Sequence, residues 1–138
     1  MSIRLMTLED KPFVMSIDKH VDDEKYDKRV YSECGYIIFE GDEMVGVLSF
    51  TILWDNLPFL NLIFVQEAFR GKGMGSKAIL DWEEEMRKQG YSMVLISTQV
   101  DETAQHLYRK LGYIDCGSLL FTGTIFDQPM EMFMRKVL

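Results

Sequence analysis

Apolar and polar positions alternate, crowd and recur along this chain in ways that name its elements. Ile3-Arg4-Leu5-Met6 alternates as a short strand does. Thr7, with Asp10 three residues on, marks the start of a helix. Pro12 falls in its first turn, where a missing N–H does no harm, and Phe13, Val14 and Ile17 recur at helical spacing. Val21 to Arg29 is charge-dense and reads as a second short helix or a loop. Tyr36-Ile37-Ile38-Phe39 is a strand, Glu40-Gly41-Asp42-Glu43 its turn, and Met44 to Trp54 the returning strand of a hairpin. A turn from Trp54 to Pro58 leads to Phe59-Leu60-Asn61-Leu62-Ile63-Phe64-Val65, apolar apart from Asn61. Such a run suits a strand covered on both faces.

The second half continues with a helix from Gly73 to Gln89. Ile79, Trp82 and Met86 mark its buried stripe; Asp81, Glu83, Glu84, Glu85, Arg87 and Lys88 are expected on the exposed side, and Gly90 ends it. Ser92 to Thr98 is a buried strand, expected to run parallel to the one ending at Val65 through a right-handed crossover. Ala104, Leu107, Tyr108 and Leu111 follow the helical period from Thr103 to Leu111, and Gly112 stops that helix. Two strands, Tyr113 to Thr122 and Glu131 to Val137, finish the chain. The expected fold is therefore α/β, with four strands before the central helix, and one domain over residues 1–138.

The densest chemistry lies between Val65 and the central helix: Arg70-Gly71-Lys72-Gly73-Met74-Gly75-Ser76. Three glycines bare the backbone N–H groups where the chain enters a helix, at the positive end of its dipole. Arg70 and Lys72 add fixed positive charge and have no packing role in the apolar pattern. The combination suits a phosphate or diphosphate. A P-loop would end Gly-Lys-Ser/Thr, whereas here the order is Gly75-Ser76-Lys77. A dinucleotide fingerprint is formally present as Gly73-Met74-Gly75-Ser76-Lys77-Ala78, but seven residues separate Val65 from its first glycine.

Composition changes this picture in one direction. The net charge of −7 argues against nucleic acid as the main partner and favours cationic molecules. Two cysteines, Cys34 and Cys116, form no metal or disulfide motif; each reads as a small buried hydrophobe in a reducing cytoplasm. No metal site and no membrane segment is expected. The acidic run Asp22-Asp23-Glu24 reads as a solvated face.

Arg70-x-x-Gly73-x-Gly75, after a strand ending at Val65, resembles the coenzyme A diphosphate loop of the GNAT superfamily of acyl-CoA-dependent N-acetyltransferases. Ala104-x-x-Leu107-Tyr108-x-x-Leu111-Gly112-Tyr113 resembles the second signature of that family. The resemblance implies a mixed, mostly antiparallel twisted sheet flanked by helices, with a splayed parallel strand pair holding the pantetheine arm of acetyl-CoA. It implies cofactor contacts from backbone groups of Phe64 and Val65 and from Arg70, Gly71, Lys72, Gly73, Met74, Gly75 and Ser76. Asp101 stands where many relatives carry asparagine; a carboxylate accepts but does not donate. Tyr108 is implied as the general acid for the departing thiolate.

A glutamate common on the strand before the loop is absent. Asn61 takes its place as a candidate substrate contact, and Glu67, Asp55 and Glu33 are the remaining candidates for a base. The expected activity is acetyl transfer from acetyl-CoA to a primary amine of a small cationic molecule, by direct transfer in a ternary complex. The rival readings are a non-catalytic acyl-CoA sensor of the same fold and a small nicotinamide-dependent oxidoreductase. A homodimer through the last strands is also compatible with the sequence.

Overall fold

The computed structural model describes residues 1–138. The elements run β1 (Ser2–Leu5), α1 (Lys11–Ile17), α2 (Asp23–Tyr31), β2 (Gly35–Glu40), β3 (Glu43–Leu53), β4 (Leu57–Val65), α3 (Met74–Lys88), β5 (Met93–Gln99), α4 (Ala104–Lys110), β6 (Ile114–Leu119) and β7 (Glu131–Val137). The strands hydrogen-bond in the order β1-β2-β3-β4-β5-β7-β6. The pairings β1–β2, β2–β3, β5–β7 and β6–β7 are antiparallel, while β4–β5 is parallel. The expected mixed, mostly antiparallel sheet with a parallel pair and flanking helices is thus the observed architecture. Its contacts divide into two compact units: Met1–Thr51 with Asn61–Trp82, and Ile52–Leu60 with Glu83–Leu138.

In the first unit, the hydrophobic spacing of the N-terminal helices has a direct outcome. Val14 and Tyr26 are fully buried and cluster with Met6, Val21, Ile37 and Val47. Phe13, Ile17, Leu62 and Phe64 pack against that cluster. The Thr7–Asp10 pair forms as expected: the Thr7 N–H donates to the Asp10 carboxylate at 2.8 Å. The helical start there is a short 3-10 turn over Leu8–Asp10 before α1. The acidic run is spent on local structure. Asp22 caps α2 by accepting the Lys25 N–H at 2.8 Å, Asp23 pairs with Lys11 and Glu24 with Lys28.

In the second unit, β5 supplies buried Val94, Leu95 and Ile96, and β7 supplies buried Met132 and Met134. Their register sets Ile96 opposite Met134 and Thr98 opposite Met132. The parallel ladder of β4 with β5 consists of Phe59↔Leu95 and Leu60↔Ile96, although β4 runs on to Val65 and β5 to Gln99.

Three expectations need correction. The turn after β3 is shorter than expected, and Leu57 and Pro58 already belong to β4. β6 ends at Leu119, not Thr122, and every one of its residues is exposed. Neither cysteine is buried: Cys34 is half-buried and Cys116, on β6, is exposed. β6 is the last strand of the order, so one of its edges has no neighbour to cover it.

Candidate active site

The end of β4 leads into the glycine loop within the first unit. Gly46 on β3 is the reason the backbone can pass so closely there. A β-carbon at Gly46 would meet the Phe64 carbonyl oxygen, the Val65 Cα at 3.2 Å and Ile38 at 3.3 Å. The Gln66 N–H bonds the Val45 carbonyl at 2.8 Å and fixes the exit of the strand. A short 3-10 turn, Glu67–Phe69, then brings the chain to Arg70.

Gly71 and Gly73 adopt φ of +76° and +78°, a left-handed conformation open to glycine at little cost. A β-carbon at either would meet nothing within 4 Å, so the loop presents bare backbone to open space. α3 begins at Met74, one residue before Gly75. The Lys77 N–H is bonded to the Gly73 carbonyl at 3.0 Å. The N–H groups of the preceding turn have no such helical acceptor and point outward at the positive end of a 15-residue helix. That donor set fits a diphosphate. Beside it is a small cavity of about 160 Å³ lined by Met1, Glu40, Lys72, Gly73, Met74 and Lys77.

The two cations of the loop differ from expectation. The Arg70 Nε donates to the Val65 carbonyl at 2.7 Å, and its guanidinium lies over the Phe64 ring at 5.1 Å. Lys72 lies over Phe69 at 5.6 Å. Both therefore pack, and Arg70 braces the strand end as well as adding charge. Ser76 is half-buried and Met74 buried. Asn61 is exposed and accepts a long bond from Thr51 Oγ1 at 3.4 Å. Among the base candidates, Glu67 is exposed on the 3-10 turn and Glu33 is exposed at a φ of +57°. Asp55 lies in the turn before β4, at the opposite end of that strand from Val65.

Tyr108 belongs to the second unit. It is 7% exposed on α4, and its ring stands edge-on to Tyr113 with centroids 6.3 Å apart. The Tyr113 N–H bonds the Tyr108 carbonyl at 3.0 Å across Gly112, whose φ of +98° closes the helix. Burial pushes the Tyr108 hydroxyl pKa up, and the negative charges of Glu102 and Glu131 push it further. Such a phenol holds its proton at neutral pH. Asp101 is exposed in the turn before α4.

Three carboxylates here were not singled out from the sequence. Glu83 was expected on the solvent side of α3, yet it is 2% exposed. It accepts from the Tyr113 hydroxyl at 3.0 Å and from Lys136 Nζ at 2.6 Å. The helical arc Ile79-Trp82-Glu83-Met86 carried that signal, because 79, 82, 83 and 86 share one face. Burial, and then the Glu83 charge, hold the Tyr113 pKa far above the usual phenol range. Glu102 accepts from Thr98 Oγ1 at 3.1 Å, and Glu131 accepts from Gln128 Nε2 at 2.9 Å. Glu102 lies in the turn just before the Ala104–Tyr113 signature, and Glu131 is far from any motif, at the first position of β7.

Comparison with known proteins gives three findings. The model of a family described as Acetyltransferase (GNAT) family matches residues 3–113. The chain is 35% identical over 77 residues to an IAA acetyltransferase of Azospirillum brasilense, across 55% of this chain and 48% of that protein. It spans about half the length of the curated relatives it matches. Its fold is that of the crystal structure of a ribosomal-protein-alanine N-acetyltransferase from Brucella melitensis: TM-score 0.83, 21% identity, 100% of both chains covered. It is also that of YncA from Salmonella typhimurium with acetyl-CoA: TM-score 0.81, 20% identity, 100% of this chain and 94% of that one.

Proposed function

The chain belongs to the acetyltransferase (GNAT) family, and on that premise we propose that it transfers an acetyl group from acetyl-CoA to a primary amine of a small cationic molecule, in the cytoplasm, as one domain over residues 1–138. The observation that supports this best is the loop itself. Gly71 and Gly73, both left-handed and open, stand before the unbonded N–H groups of α3.

Acetyl-CoA supplies the activated thioester. The N–H groups of residues 71–76 hold its diphosphate, with Lys72 contributing charge, while the Arg70 N–H is already given to the Glu67 carbonyl at 3.1 Å. Backbone groups of Phe64 and Val65 orient the arm and face the thioester carbonyl, where fixed dipoles favour the developing oxyanion. Asp101 accepts a hydrogen bond from the cofactor arm, and Asn61 contacts the acceptor. The amine nitrogen bonds the carbonyl carbon, the C–S bond breaks, and Tyr108 gives its proton to the departing sulfur. The ammonium first loses a proton to solvent, since its pKa is ~10; a second proton leaves the nitrogen as the amide forms and replaces the one that Tyr108 gave to sulfur. Glu102 and Glu131 favour the approach of a cationic acceptor, and the net charge of −7 acts in the same direction.

The experiment is calorimetric titration with acetyl-CoA, followed by acetyl transfer across a panel of polyamines, amino acids and peptide N-termini. Binding with transfer to the polyamines is expected. Binding without transfer to any amine supports the rival acyl-CoA sensor, and absence of binding rejects both.

A further inference from the structure

A cavity of about 560 Å³ lies in the second unit, at the first residues of β4 and β5. Its lining includes Trp54, Asp55, Asn56, Gln89 and Tyr91, with one carboxylate and no lysine or arginine. Tyr108 follows the opposite end of β5, so this cavity is separate from that tyrosine.

The cavity is built around an exposed tryptophan. Trp54 is 81% exposed, so its indole is not there to fill the core. It occupies a tight turn closed by the Asn56 N–H on the Leu53 carbonyl at 3.1 Å, with φ of +53° at Trp54 and +60° at Asp55. Such a turn favours Asn-Gly at its centre, and a bulky side chain there works against the backbone. Asp55 makes no ion pair. Opposite it is the C-terminal end of α3, capped at Gly90 by bonds from the Gly90 and Tyr91 N–H groups. That end carries partial negative charge. The cations of the last turn are already engaged, Arg87 with Glu84 and Lys88 with Glu85.

We propose that this cavity is a second binding site, for an organic cation such as an alkylammonium or guanidinium group. The Trp54 face supplies the cation–π contact and Asp55 the counter-charge, while the carbonyl end of α3 adds a favourable field. The site is independent of the proposed transferase chemistry and stands even if acetyl-CoA does not bind.

The test uses tetramethylammonium chloride at constant ionic strength, on the intact protein. This probe has no N–H and is no acetyl acceptor. The protein has two tryptophans and Trp82 is fully buried, so Trp54 is the emission that responds. Saturable quenching in the millimolar range is expected. The calorimetric isotherm should weaken about tenfold in Asp55→Asn and vanish in Trp54→Gly. Trp54→Gly should melt no lower than the parent, because glycine takes that φ freely. Parent-like binding in both variants, or no saturation at all, overturns the proposal. So does loss of binding in Glu131→Gln, which would place the cation beside Tyr108.

Discussion

Replacing Gly46 by alanine tests whether the end of β4 is placed for the cofactor. The new β-carbon would meet the Phe64 carbonyl oxygen and lie 3.2 Å from the Val65 Cα. Ordinary carbon–carbon contact is about 3.5–4.0 Å, so the strand must retreat by roughly half an ångström against Val65 alone, and further from the carbonyl. Neither obstacle is a flexible side-chain tip. Overpacking of this kind costs about 1–3 kcal/mol, and rigid backbone on both sides points to the upper part of that range. The displaced groups are those proposed to orient the thioester. A misplacement near 1 Å lowers turnover by about 100-fold.

Guanidinium unfolding gives the stability term, and transfer kinetics at saturating amine give KM for acetyl-CoA and kcat. Gly41→Ala is the control. Gly41 sits in the β2–β3 turn at a φ of +60° with nothing within 4 Å of an added β-carbon. It should lose about 1 kcal/mol from backbone strain alone and leave both kinetic constants unchanged. If Gly46→Ala unfolds earlier yet keeps parent kinetics, the backbone at Phe64 and Val65 has no part in transfer.

Three further outcomes follow. Tyr108→Phe should lower kcat by about 10²–10⁴-fold with little change in acetyl-CoA affinity; equal turnover would remove the tyrosine from the chemistry. Glu83→Ala leaves the Lys136 ammonium and the Tyr113 hydroxyl without their acceptor and should cost about 3 kcal/mol in denaturant unfolding, whereas a loss below about 1 kcal/mol would show the triad to be energetically idle. Tyr113 has a folded pKa raised above its unfolded value, so its contribution is complete below about pH 10 and declines as pH rises beyond it. Unfolding free energy should therefore fall more steeply above pH ~10 in the parent than in Tyr113→Phe, by up to about 1.4 kcal/mol per pH unit; parallel slopes would contradict the assigned shift.

What the sequence disclosed and what it hid divide along one line. Where a function is carried by backbone, the residues that permit it are glycines, and their spacing can be read directly. Gly71 and Gly73 are left-handed where the loop needs them, and Gly112 ends α4 just before Tyr113. The apolar runs fixed the strands for the same reason, since a strand covered on both faces has few polar positions to offer. Side-chain placement was harder. Arg70 read as a free cation, yet its guanidinium lies over Phe64 and its Nε bonds Val65. Glu83 read as solvated because of its charge, although its position on the helical face of Trp82 and Met86 argued otherwise. The cysteines misled for a different reason, because burial of Cys116 depends on whether a strand covers β6, which no local pattern specifies.

The same division bears on which half of the proposed reaction can be deduced. The donor half is a diphosphate and an amide-rich arm, which backbone N–H and carbonyl groups recognise, and its motifs are short and local. The acceptor half, as proposed, rests on two carboxylates whose charges act on Tyr108 from separate places, Glu102 in a turn and Glu131 at the start of β7. Their joint action arises only when β7 pairs with β5, which sets Glu131 opposite Gln99 three residues before Glu102. Under the proposed reaction, acceptor choice is thus tied to strand order, and the charge of those two side chains is the place to test it. Glu102→Gln with Glu131→Gln should raise KM for a polyamine more than for a neutral-tailed amine, at unchanged KM for acetyl-CoA. An equal effect on both amines would mean that the carboxylates serve the fold and not the choice of acceptor.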